Sequence, residues 1–293
     1  MFYTDLYSTN FDSGDEIYDP LIINTCLTGI VAKKSDNPNI PISTSEIVED
    51  ACRVIEAGAN MLHIHARDKD GNASWQPKVY ETILTSIRKQ HPDAILVATT
   101  SGRASSDFEQ RSAVLRLEGS AKPDMASLTL GSMNFPTGAS VNAPATILRL
   151  IELMHEMEIK PELEVFDMGM LNYAFYLARK NIIHEPCFIN ILLGSLGSAP
   201  ARLQELGIFT REIPASWTWA AAGIGRFQLA TNVAAMIAGG HVRVGLEDAL
   251  YMDTNKQEPA SNLALVERIV RISRDIGRTV ASPAEARRML GLS

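Results

Sequence analysis

Residues 60–100, NMLHIHARDKDGNASWQPKVYETILTSIRKQHPDAILVATT, carry the pattern that decides the fold. A short apolar run at 60–66 gives way to a stretch with helical spacing at 77–90, and a second short run, AILVATT, follows at 94–100. Both runs are largely apolar rather than strictly alternating, as parallel strands covered on both faces are. The same unit recurs outward in both directions. Further runs lie at 21–28, 124–130, 161–167, 187–193, 216–222 and 240–247. Helical stretches lie at 44–57, 106–116, 143–157, 169–180, 199–206, 225–238 and 260–277. Ser43 and Glu46 stand at capping-box spacing ahead of the first of these. Eight strands, each followed by a helix, with no composition shift to mark a linker, predict an α/β fold: a single (β/α)8 TIM barrel over residues 21–293. An open doubly wound sheet is the alternative.

Composition agrees with one large globular domain, since 46% of the 293 residues are hydrophobic and 21% charged. The net charge of −7 speaks against nucleic acid or an anionic membrane as partner. No apolar run approaches the roughly 18 residues of a membrane span, and no basic region followed by an apolar core marks a leader. Cys26, Cys52 and Cys187 are too few and too scattered for a disulfide framework or a zinc ribbon, so a cytoplasmic setting is expected. Residues 1–20 hold Asp5, Asp12, Asp15, Glu16 and Asp19 and no Lys or Arg, together with Phe2, Tyr3, Tyr7, Phe11 and Tyr18. They read either as an arm packed on its own barrel or a neighbouring subunit, or as a disordered tail. The first alternative goes with a homo-oligomer, for which a tetramer is one expected size.

Barrels place their chemistry at the carboxyl ends of the strands. The second strand ends in His63-Ile64-His65, and alternation sends both imidazoles to one side, about 6–7 Å apart along the strand. The eighth reads Arg243-Val244-Gly245-Leu246-Glu247-Asp248, and the same alternation sets Glu247 on the side of Arg243. Strands 2 and 8 flank strand 1, so His63, His65 and Glu247 form a candidate metal site of two imidazoles and a carboxylate. Such a set suits zinc, with another divalent ion as the alternative. The plain structural readings are core histidines bonded to backbone and a salt bridge from Glu247 to Arg243. Asp248 is expected to point away from the ion and to serve as a general base beside Arg243, or to cap the following helix. Thr99, Thr100, Ser101 and Gly102 after strand 3 offer hydroxyls and backbone N–H groups for a carboxylate, with Arg103 next in the chain. Strand 4 adds Ser127 and Thr129, and strand 5 adds Glu162 and Glu164 on one side. Arg226, in the glycine-bearing loop after strand 7, is a candidate for phosphates. His91, His155, His184 and His241 carry no assigned role.

Taken in order, HIHARDKDG, TTSGR, ASLTLGSMNF, PELEVFD, GIGRFQLA and RVGLED, with SPAEARRMLGL at the end, resemble the β-keto acid cleavage enzymes over about residues 21–292. The resemblance implies a zinc-dependent (β/α)8 enzyme that condenses a β-keto acid with acetyl-CoA to give acetoacetate and a new acyl-CoA. It implies His63, His65 and Glu247 as zinc ligands, Asp248 as the base and Arg243 as its partner. Substrate contacts are expected from the loop at Thr99–Gly102 and from Thr129 and Glu164, and Arg226 is expected at the CoA phosphates. Two departures stand out. Thr99 replaces the family's usual serine while Ser101 replaces a glycine, and Thr28-Gly29-Ile30-Val31 lacks the acid that reads an amine, so an ammonium-bearing substrate is disfavoured. A metal-dependent lyase or aldolase on a TIM barrel and a non-catalytic acyl-CoA-binding barrel are the competing readings. The first would want an acidic ligand on strand 1, which INTCLT at 23–28 does not supply. The second has no use for a spare carboxylate at Asp248.

Overall fold

The computed structural model describes residues 18–136 and 138–292. Eight parallel strands close into a barrel: β1 (Ile23–Cys26), β2 (Met61–Ile64), β3 (Ile95–Ala98), β4 (Met125–Thr129), β5 (Lys160–Val165), β6 (Phe188–Leu193), β7 (Thr218–Gly223) and β8 (His241–Val244). Each strand pairs with its neighbours in sequence, and β8 closes on β1 with Asn24 opposite Arg243. Helices cover the outside: α1 (Thr44–Glu56), α2 (Pro77–Gln90), α3 (Phe108–Ser112), α4 (Pro144–Glu156), α5 (Met168–Arg179), α6 (Leu203–Glu212), α7 (Gln228–Ile237), α8 (Asn262–Asp275) and α9 (Pro283–Met289). The predicted (β/α)8 barrel is the observed fold.

Alternation along the strands sorts their side chains into two cores. One set, among them Ile23, Leu62, Ile64, Leu96, Leu128, Leu163, Ile189, Ile191, Val242 and Val244, faces the helices and forms the outer core. The other set points into the barrel and is layered. Its lowest layer is apolar, built from Ile22, Met61, Ile95, Val97, Met125, Phe188 and Ala220. Above it the lining turns polar, with Asn24, His63, Ser127, Glu162, Asn190 and Arg243 all buried. Polar groups at this depth survive only when they satisfy one another, and they mark the end of the barrel that carries chemistry.

Four differences from the sequence reading bear on the barrel. α9 had no place among the expected eight helices. It is short, capped by Ser282 and Glu285, and seals the barrel floor by packing Ala286 and Leu290 against the lower layer. The third helix is only Phe108–Ser112 and tightens into a 3-10 turn at Ala113–Arg116, and the sixth begins at Leu203, later than the expected 199. Most consequentially, β8 stops at Val244, so the expected strand through residue 247 is a turn from Gly245 onward.

Most of the expected N-terminal arm, residues 1–17, lies outside the described residues. Where description begins, the chain lies on its own barrel. The Tyr18 hydroxyl donates to the Ile237 carbonyl at 3.1 Å, and Arg278 Nε donates to the Asp19 carbonyl at 2.8 Å. Among the described residues no helix is long and apolar enough to cross a membrane.

Candidate active site

A cavity of about 380 Å³ opens at the carboxyl end of the strands. His63, His65, Thr99, Ser101, Arg103, Thr129, Glu164, Arg243, Glu247 and Asp248 line it. The two histidines come from β2 and the residue just past it, with ring centroids 5.2 Å apart. One ligand atom each from His63, His65 and Glu247 lies within 4.8 Å of the others. His65 Nε2 is 3.2 Å from Glu247 Oε1, and His63 Nε2 is 3.9 Å from Glu247 Oε2. That second oxygen is buried and has no hydrogen-bond partner among the described residues.

Glu247 reaches the histidines by a turn, not by strand alternation. After Val244 the backbone passes Gly245 at φ +154°, where a Cβ would fall 2.1 Å from the Cys26 carbonyl oxygen. A Cβ on Gly29, at φ +58°, would sit 2.6 Å from Glu247 Cγ. Only glycine fits both places, and together they let the β8 turn press against β1. The Glu247 N–H then donates to Cys26 O at 3.2 Å. Because the turn lacks alternation, Asp248 does not point elsewhere as the sequence reading had it. It lines the same cavity as Glu247.

Arg243 organises the carboxylates. Its Nε donates to Asp248 Oδ2 at 2.9 Å, Nη1 to Glu164 Oε1 at 3.1 Å, and Nη2 lies 3.1 Å from Glu247 Oε1. Burial works against the guanidinium charge, but Asp248, Glu247, Cys26 and Glu164 outweigh it and hold its pKa well above the ordinary value. A charge this deep is tolerated only with such pairing. The Cys26 thiol also donates to Asp248 Oδ2, at 3.1 Å. The salt bridge between Glu247 and Arg243 offered as the plain structural reading is therefore present, alongside the approach to both histidines rather than in place of it.

Glu162 holds His63. Its Oε2 lies 2.8 Å from His63 Nδ1, while Oε1 accepts from Asn24 Nδ2 at 2.7 Å and Asn190 Nδ2 at 2.9 Å. Burial raises the Glu162 pKa, but His63 and Arg243 prevail and keep it below the ordinary range. An ionised Glu162 accepts a hydrogen bond from His63 Nδ1–H and turns Nε2 toward Glu247. Burial and Arg243 work against a charge on His63, but the two carboxylates prevail and raise its pKa, so an ion bound at Nε2 would take the place of a proton. Burial lowers the His65 pKa despite Glu247, so its ring is neutral, the form that ligates. Burial would raise that of Glu247, yet His65, Arg243 and His63 hold it well below the usual carboxylate range.

Not every predicted residue joins the wall. Thr99 and Ser101 line the cavity, but Thr100 turns away, its hydroxyl donating to the Ser127 carbonyl at 2.6 Å. Gly102 lies behind the wall, where a Cβ would meet Arg111 Nη1 and Val141 O at 2.8 Å each. Thr129 Oγ1 donates to Glu164 Oε2 at 2.7 Å and so fixes that carboxylate. Arg226 is exposed and does not line the central cavity. It lines an adjoining cavity of about 200 Å³ that shares Ile224 and Asp248 with it.

Four supporting groups were not picked out from the sequence as site residues: Asn24, Cys26, Asn190 and Arg67. The first three are polar at inward positions of β1 and β6, a signal alternation could have supplied. Arg67 donates to the carbonyls of Gly29, Thr28, Ala32 and Gly71 at 2.6–3.1 Å and shapes the rim formed by residues 28–32. Nothing local in the sequence marks that contact.

Residues 20–292 match the family model described as beta-keto acid cleavage enzyme. The chain is 36% identical over 277 residues to 3-keto-5-aminohexanoate cleavage enzyme of Acetoanaerobium sticklandii, covering 94% of this chain and 99% of that protein. It is 37% identical over 276 residues to 3-oxoadipate:acetyl-CoA acetyltransferase of Cupriavidus necator, covering 93% and 95%. Among solved structures it is similar to ObcA in its binary complex with oxaloacetate, with a TM-score of 0.78 at 20% identity over 87% of this chain and 68% of that one, a likeness of fold alone.

Proposed function

The chain belongs to the beta-keto acid cleavage enzyme family, and from that premise we propose that it transfers the acyl group of a β-keto acid to CoA, consuming acetyl-CoA and releasing acetoacetate. The observation that carries the reading is the meeting, in one cavity, of His63, His65 and Glu247 with Asp248 held beside them on Arg243. Relatives named for acetyl-CoA-dependent transfer support it.

Two imidazoles and a carboxylate suit zinc, and the buried, unpartnered Oε2 of Glu247 supports an ion there. His63, His65 and Glu247 would hold it, and it would supply a Lewis acid for the substrate ketone. Asp248 is the base: Arg243 and the Cys26 thiol hold its carboxylate at the cavity wall, where it takes a proton from C2 of the β-keto acid. The resulting enolate attacks the acetyl-CoA carbonyl and expels the CoA thiolate. That thiolate adds to the original ketone carbon, the C2–C3 bond breaks, and the departing acetoacetate carbanion recovers the proton from Asp248. Thr99 and Ser101 bear hydroxyls on the wall next to β2 and would seat the reacting carboxylate. Thr129 and Arg243 fix Glu164 within reach of the bound substrate.

Acetyl-CoA has to bring its thioester to Asp248. The adjoining cavity shares Asp248 with the central one and carries Arg226 and Lys256, which supports Arg226 as a contact for the CoA phosphates. A cytoplasmic setting belongs to the same proposal and is supported by this co-substrate and by three free cysteines. A homo-oligomer belongs to the same proposal.

The test is to incubate zinc-loaded protein with acetyl-CoA and β-keto acids bearing neutral, hydroxylated, anionic and cationic tails, and to follow acetoacetate. Release with at least one acid is expected. Retention of metal with no acetoacetate from any acid would contradict the proposal.

A further inference from the structure

One cavity-lining cation has no part in the reaction just described. Arg103 projects from the loop after β3 into the cavity wall, and its guanidinium lies 4.0 Å from the centroid of the Phe135 ring. Phe135 is itself braced edge-on by Phe166, with centroids 6.0 Å apart. The head group is thus held on an aromatic platform, which limits its motion and leaves its edge donors for a ligand. Arg103 makes no ion pair among the described residues, in contrast to Arg243, which engages all three carboxylates of the cavity wall. Burial lowers its pKa below the arginine value, a sign that its charge is partly stripped of water. A partly desolvated guanidinium that faces a cavity and lacks an acid partner is a binding site for an anion.

Which anion it takes follows from how the rest of the wall is used. The reacting end of the substrate has the candidate metal site and the hydroxyls of Thr99 and Ser101. The remainder of the wall is neutral: Ile30, Val31 and Ala32 in the loop after β1, Pro136 beside Phe135, and Leu196 after β6. No carboxylate in the cavity is left over for a cationic tail, and none stands free to repel an anionic one. Building on the proposed function, we infer that Arg103 binds a second carboxylate at the tail of the substrate, so that the preferred substrates are β-keto diacids. The names of the relatives do not decide this, since those acting on an amino acid and on a diacid are equally similar to the chain at 36% and 37% identity.

The experiment compares 3-oxoadipate with 3-oxohexanoate, which has the same chain length and an uncharged tail. Both are measured with zinc-loaded wild type, Arg103→Gln and Arg103→Lys. Acetoacetate release with acetyl-CoA gives kcat and KM, and calorimetric titration of each acid without acetyl-CoA gives binding. Wild type is expected to favour the diacid at least about 10-fold in kcat/KM. Arg103→Gln should lower that value for the diacid by about 10- to 100-fold, mainly through KM, and leave the monoacid within about threefold. Arg103→Lys should recover part of the loss, and the melting temperatures of both variants should match wild type. An equal loss for both acids would overturn the inference, as would a change confined to the KM for acetyl-CoA or no change at all. Failure of the reaction itself would look different: the diacid would still bind through Arg103 in calorimetry while no acid yielded acetoacetate.

Discussion

Replacing Glu162 with Gln changes one atom of a buried carboxylate and should weaken zinc binding at the proposed site. In the native site the ionised carboxylate faces His63 Nδ1 at 2.8 Å, so a ring that donates there can offer Nε2 to an ion. The Asn24 and Asn190 amides occupy the other oxygen, so in the Glu162→Gln variant the remaining oxygen stays with them and the new amide group faces His63. An amide there donates rather than accepts. His63 must answer with the other tautomer, protonated at Nε2 and unable to ligate, or the network must break. Loss of such an orienting partner typically weakens metal binding 10- to 100-fold, about 1.4–2.7 kcal/mol. Side-chain volume is kept, so no cavity opens and the fold should persist. The assay is zinc affinity by competition with a chromophoric chelator, with circular dichroism as the folding control. Asn190→Ala serves as a comparison, because Asn24 still holds Oε1 and the His63 contact is untouched, and its zinc affinity should fall no more than about threefold. Native zinc affinity in folded Glu162→Gln would refute the reasoning.

Separation of roles gives a second prediction. Glu247→Gln should lose zinc by elemental analysis, whereas Asp248→Asn should retain it and lose about 10²- to 10⁴-fold in turnover. Equal metal loss in both would contradict it. On the barrel floor, Leu290 is 1% exposed against the lower core, so Leu290→Ala should destabilise by about 2–5 kcal/mol in denaturant melts. An unchanged midpoint would remove α9 from the core. His241 supplies a pH prediction. Burial, reinforced by Arg278, pushes its pKa down to about 3 from 6.5, and its Nδ1 accepts the Ile22 N–H at 3.0 Å. The unfolded chain takes up a proton below pH 6.5 that the folded chain refuses down to about pH 3. This contribution to stability is therefore complete above about pH 6.5 and falls away with acid, by up to on the order of 5 kcal/mol. His241→Asn keeps an acceptor without the titration, and its stability should fall less steeply over that range in chemical melts.

The barrel was legible because parallel strands covered on both faces write themselves as short apolar runs, and eight of them alternate with helical spacing. Boundaries were less legible. Alternation says which way residues point along a strand but not where the strand stops, so the turn at Gly245 was invisible, and with it the shared wall of Glu247 and Asp248. The two histidines were readable as a pair because their spacing is local. The web around Arg243 was not, because Glu164 lies 79 positions away and Cys26 is brought against Asp248 only by closure of β8 on β1. Thr100 and Gly102 could not be told from their neighbours Thr99 and Ser101, since the loop leaves the strand period just where the cavity begins. The seven residues of α9 are too few for a helical stripe to stand out, and their role depends on a floor that exists only once the barrel has closed.

The proposed chemistry places one ion between β2 and the turn after β8. Diffraction from zinc-loaded crystals on both sides of the zinc absorption edge tests it most directly. A single anomalous peak is expected about 2.0–2.2 Å from His63 Nε2, His65 Nε2 and a Glu247 carboxylate oxygen. A peak at the alternative cluster of His63, Glu162 and Glu164, or none within reach of Glu247, would contradict it.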